Sequence, residues 1–337
     1  MDTKPRKIPN IPSELYEANL WKSMQFIGFA SFLYFGFAAF SYLLVSSALP
    51  LYLVVPGVII CTIFSGQGLH LLGISGHEGF HFTLHKNKDV SASLGLFFSS
   101  AAIGHFDVGF SISHWNHHYY ANTDKDPDAQ LFVKFTNGFV RALVARPAAG
   151  LLYGLNTFKI AFNLPLGFKA PFPMSRKKLR LYAWANVLTV AAWLGIYAAL
   201  FAFNPLYTVL LIGLGHFGAF SISGLRPYLE HAGMGREKLE RTRSYVHPAW
   251  TAFFFYINYH TEHHLFPNVP FFNLPKVHAL MKEHHLYEGL SYPVAETRFW
   301  EALRAAFWDS YPEAFVPESD TEAVGIVDPS IALERSA

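Results

Sequence analysis

Histidine is concentrated in three short boxes: His77 and His81 in HEGFH, His114, His117 and His118 in HWNHH, and His260, His263 and His264 in HTEHH. With 17 His in 337 residues, an HxxHH pattern arises by chance roughly 0.04 times, so its two copies outweigh the single HxxxH. Imidazole is the commonest metal-binding side chain, and eight of them exceed the three or four that one zinc needs. The supply fits two ions. On a helix, His77 and His81 project from one face a turn apart. In each HxxHH box the first His shares a face with the other two, while the adjacent pair diverges by about 100° and can address different ions. Satisfied polar side chains explain any one of these residues more simply, but not all eight together.

The elements that must position the boxes belong in a bilayer. Hydrophobic residues make up 52% of the chain, charged residues 15%, and mean hydropathy is +0.22, whereas a soluble chain carries about 25% charged residues. Four stretches, 24–46, 51–72, 181–203 and 206–222, contain no Asp, Glu, Lys or Arg and approach the roughly 20 residues that cross a hydrocarbon core. All 26 Lys and Arg lie in residues 1–22, 86–180 and from Arg226 onward. The turns near Ser47 and Asn204 therefore carry no cation, and the positive-inside bias places them outside, with both termini and the middle region in the cytosol. The expected fold is an all-α integral membrane protein of four transmembrane helices in two hairpins, with a cytosolic helical cap carrying a His-rich two-metal site. All three boxes fall at or beyond the cytosolic ends of the hairpins.

A secretory signal at Lys4, Arg6 and Lys7 and the run after them is the alternative for the first span. That run exceeds the usual 7–15 residue apolar region, and its removal would strand the first box across the membrane from the third. The apolar stretches 94–103 and 251–259 are too short to span and read as interfacial or buried segments. Cys61, the one cysteine, lies inside the second span and excludes a multi-cysteine iron-sulfur site. No GxGxxG opens a helix after a strand, so a nicotinamide or flavin domain is not expected, and no nucleic-acid partner is expected either. The expected organisation is a cytosolic segment 1–22, a catalytic domain 23–316 and a loosely ordered tail 317–337.

The three boxes, separated by two apolar hairpins, resemble the membrane fatty acid desaturase and hydroxylase superfamily. NYHTEHHLFPNVPFFNLPKVH, from Asn258 to His278, and HHYYANTDKDPD, from His117 to Asp128, look most like acyl-lipid desaturases. The resemblance covers roughly residues 20–290. It implies a non-haem di-iron centre held by histidine, two Fe ions with O2 as co-substrate, and electrons from a separate ferredoxin or cytochrome and its reductase. It also implies a further ligand between the second hairpin and the last box, for which His231 in RPYLEHAG is the candidate.

Imidazole suits several metals; attack on unactivated C–H bonds requires a redox metal, and the resemblance selects iron. Neutral imidazoles leave the ions' charge uncompensated, so nearby carboxylates can orient the ligands, with Asp128 and Glu262 favoured over Glu78, Glu230, Asp124 and Asp126. Arg226 could answer such a carboxylate. His85 and His105 are weaker ligand candidates; His70 and His216 read as packing or channel residues, and His247, His278, His284 and His285 as surface or structural ones. An acyl substrate from the bilayer would lie in an apolar slot near Phe97, Phe98, Phe254 and Phe255. The expected activity is oxygen-dependent desaturation of a long acyl chain. The alternatives are a carotenoid or lipid hydroxylase or ketolase, oxidative decarboxylation to an alkene, and a membrane metal-binding or transport protein. Arg236, Lys238, Arg241 and Arg243 form a basic cluster to which an acidic electron carrier would be drawn.

Overall fold

The computed structural model describes residues 8–166, 172–235 and 237–312. The expected tail 317–337, the cations Lys4, Arg6 and Lys7, and Arg236 lie outside the described residues. Among the described residues all regular structure is helical.

Four helices are long and apolar enough to cross a bilayer: α1 (Leu20–Val45), α2 (Leu51–Phe80), α3 (Arg176–Phe203) and α4 (Pro205–His231). Local sequence sets their starts. Asn19 caps α1 by accepting from the Lys22 amide at 3.1 Å, and Ser175 caps α3 through the Lys178 amide; such caps satisfy amides that have no carbonyl one turn back. Asn204 ends α3 and caps α4, whose first residue is Pro205, a position where the missing N–H costs nothing. α2 and α4 run about two turns or more past the apolar stretches that mark them in the sequence. Helical hydrogen bonding does not stop where hydrophobicity does, and these extensions carry His77 and His231 out of the spanning region.

α4 packs closely along α2. A Cβ on Gly66 would lie 2.4 Å from Gly218 Cα, so the two backbones meet there with no room for a side chain. Tyr34 on α1 donates to the Tyr197 hydroxyl on α3 at 2.8 Å, which in turn donates to the Ala101 carbonyl at 2.6 Å, a chain that ties the two hairpins together.

Shorter helices close over the ends of α2 and α4. The second box lies on a helix at Asp107–Tyr120, the third on one at His260–Leu265, and a further helix, Arg146–Ala161, packs against the second-box helix. The stretch 94–103 is the end of a buried-faced helix, Lys88–Ser99, and its following turn. Stretch 251–259 comprises the end of a helix at Pro248–Phe254 and a left-handed turn at Phe255 and Tyr256. Helix Arg146–Ala161 leaves Leu151, Leu155 and Phe158 exposed, an apolar face that the spans alone would not reveal.

Candidate metal centre

α2 delivers His77 one turn before its end and His81 at its C-cap. His114, His117 and His118 lie on the inner face of the second-box helix, and all three are buried. α4 contributes His231 as its last residue. Two groups result: His77, His81, His114, His118 and His263 each offer a nitrogen within 4.8 Å of the others, and so do His117, His231 and His264. His260 stands beside the second group, its Nε2 3.1 Å from His231 Nε2. All nine candidates therefore converge, and both adjacent pairs, His117/His118 and His263/His264, divide between the groups.

The residues fit metal ions. Nε2 of His114 lies 2.8 Å from Nε2 of His77 and 2.8 Å from Nε2 of His118. Two imidazole nitrogens held at about 2.0–2.1 Å by one ion, at right angles, would lie about 3 Å apart. Both ring nitrogens of His81, Nε2 of His263 and Nε2 of His264 are buried with no hydrogen-bond partner, although buried polar atoms are almost always paired. An ion in each group would satisfy one nitrogen of each of these rings. Burial pushes His81 down to about 3 and holds His114, His118, His260, His263 and His264 well below the usual imidazole range. That maintains the neutral form, which is the ligating one.

Asp126 and Glu78 support imidazoles from behind through Nδ1, Glu230 stands at the Nε2 of His260, and Asp128 acts on His117 by charge at longer range. His117 Nδ1 lies 3.0 Å from both oxygens of Asp126, which leaves its Nε2 for an ion. Burial alone would lower His117, but the Asp126 carboxylate outweighs it and holds the imidazole up to about 9; the positive charge it favours is what a bound ion would supply. Asp126 also caps the helix Pro127–Phe132 by accepting from the Asp128 amide at 2.9 Å. The Asp-Pro pair is the sequence signal for that cap. Asp128 itself lies on a cavity wall. Glu78 bonds His77 Nδ1 at 3.0 Å, and Glu230 lies 3.4 Å from His260 Nε2 while accepting from Arg226 Nε at 2.7 Å. Glu262 turns away from the box imidazoles: it accepts from His278 Nδ1 and Ser244 Oγ, each at 2.6 Å, and from the Tyr287 hydroxyl.

The remaining histidines stand elsewhere. His70 Nδ1 pairs with Gln67 at 3.2 Å, His85 accepts from the Asn87 amide, and His216 accepts from the Ile103 amide through Nε2. His105 bridges Arg146 and Asp107.

A cavity of about 450 Å³ reaches the centre, with His77, His114, His117, His231 and His260 on its wall and Ile74, Phe106, Phe110 and Phe220 around it. Leu151 and Leu155 at its rim are 74% and 60% exposed, so it opens on the apolar face of the helix Arg146–Ala161. None of Phe97, Phe98, Phe254 and Phe255 lines this cavity. Phe97 lies at the surface beside Trp193, and Phe254 is buried against Tyr245; sequence proximity to a box does not fix which way a ring points. The basic cluster changes as well, because Arg243 is buried and donates to the Ala232 carbonyl.

The family model described as fatty acid desaturase matches residues 49–296, a range that takes in all three boxes and His231. No curated protein sequence matches the chain.

Proposed function

The chain belongs to the fatty acid desaturase family, and on that premise we propose that it desaturates a long acyl chain at a non-haem di-iron centre with O2 as oxidant. The observation that supports this reading is the cavity, apolar over most of its wall, that brings both histidine groups to one opening. His77, His81, His114, His118 and His263 would hold one iron, and His117, His231, His264 and His260 the other. When bound, such a pair supplies the one-electron and oxygen chemistry that side chains lack.

The chain's own residues position the substrate. The Phe110 ring stacks on His114 at 5.1 Å between centroids, and with Ile74 and Phe106 it would keep methylene carbons within reach of the centre while excluding water. Glu78, Asp126 and Glu230 would offset the charge of the ions. The acyl chain loses two hydrogens, and O2 takes these together with two electrons and two protons from a donor to leave two waters. A separate ferredoxin or cytochrome with its reductase would supply the electrons. We assign the four long helices as spans with both termini and the histidine centre on the cytosolic side, from the charge pattern.

The test is expression in a membrane host with a suitable electron donor, followed by mass spectrometry of lipids and pigments. An acyl species lighter by two hydrogens is expected. A carotenoid or lipid that gains oxygen while the acyl pool stays unchanged would replace desaturation by the hydroxylase or ketolase alternative.

A further inference from the structure

One wall of the cavity carries a charge that an alkyl chain does not need. Arg146 is half-buried and lines the cavity. Its guanidinium lies between two aromatic rings, 5.5 Å from the Phe110 centroid and 5.6 Å from the Tyr153 centroid. One N–H, on Nη2, donates to His105 Nδ1 at 2.6 Å, and His105 Nε2 then donates to Asp107 at 2.7 Å. Asp107 is fully buried, is bonded by Ser99, and fills the space where a Cβ on Gly76 would be. This relay fixes the orientation of Arg146 through a neutral imidazole. It places no carboxylate within 4.0 Å of the guanidinium among the described residues.

The second arginine on the wall differs. Arg226 is closed by Glu230 at 2.7 Å, so its charge is already answered. Arg146 lines the cavity with a hydrogen bond to His105 and with Asp128 at longer range on the same wall, so its planar fork, a geometry matched to a carboxylate, is only partly engaged. Aromatic faces hold the fork without competing for its N–H groups. Phe110 is also the ring that stacks on His114, so a single side chain separates Arg146 from the first histidine group.

We propose that Arg146 anchors a carboxylate, so that the acyl substrate is taken as a free long-chain acid with its carboxyl-proximal carbons beside His77 and His114. This rests on the acyl-chain reading above and adds the form in which the chain is bound.

The test uses iron-loaded protein in lipid nanodiscs, with palmitate and methyl palmitate as probes at about pH 8, where the free acid is ionised. Palmitate should bind about tenfold more tightly than the ester. Arg146→Gln should abolish that preference while leaving ester binding unchanged, and Arg146→Lys should retain part of it. Equal binding of acid and ester, an acid preference that survives Arg146→Gln, or equal loss of both ligands in the variant would each overturn the proposal. On turnover, a product altered only toward the methyl end would overturn the placement of the carbons. Because binding is read without turnover, a product that gains oxygen instead of losing hydrogen would reject desaturation and leave this result standing.

Discussion

His117 and His118 are neighbours in the chain and face different histidine groups. His118 joins His77, His81, His114 and His263, while His117 joins His231 and His264, with 6.0 Å between the two ring centroids. The helical step of about 100° per residue is what parts them.

The groups differ in size, and their tolerance should differ accordingly. His264→Ala, which takes a ligand from the smaller group, is expected to lower iron from about two to about one per chain, while His81→Ala keeps more, because four histidines remain there. Both variants should lose turnover. His70→Ala, on the cavity wall but in neither group, should keep its iron; metal analysis of purified protein beside an activity assay separates the three.

Asp126 has two tasks that substitution can divide. Asp126→Asn retains an N-cap but removes the carboxylate behind His117, so helicity should persist while affinity at the second group falls about 10–100-fold. Circular dichroism and iron titration read the two effects. Helix loss with unchanged iron affinity would contradict the role assigned to this carboxylate.

Gly66 and Gly218 set the approach of α2 to α4, and thereby the approach of His77 to His231. Gly66→Val should destabilise by about 1–3 kcal/mol through overpacking and reduce iron content at the same time. Thermal melting in detergent with metal analysis measures both, and a stable variant with full iron would show that the two helices can separate without disturbing the centre.

His278 supports the third box through Glu262, and its contribution should depend on pH. Burial opposes its charge, but Glu262 at 2.6 Å and Glu296 at 3.6 Å prevail and raise its pKa. A pKa raised by folding stabilises fully below the unfolded value of about 6.5 and is lost as pH rises through the folded value. His278→Gln should therefore lower the melting temperature most near about pH 5.5, by a few degrees, and least in alkali. A penalty that grows with pH would have the wrong sign.

The sequence by itself determined the helical membrane architecture and singled out the eight box histidines, because hydropathy and helical spacing are local properties, whereas His231 became a candidate only through the resemblance to a family. It also determined that adjacent histidines should part, since one helical step fixes that angle. Tertiary structure decided what lies behind and in front of the imidazoles. Asp126 rather than Asp128 reaches His117, because a cap before Pro127 turns that carboxylate inward. Glu262 turns outward to His278, 16 residues along the chain. The cavity is lined by α2, the second-box helix, α4 and the helix Arg146–Ala161 rather than by Phe97, Phe98, Phe254 and Phe255. Its charged wall unites Arg146 with His105, 41 residues apart, a contact that arises only when separate helices pack and that no spacing along the chain encodes.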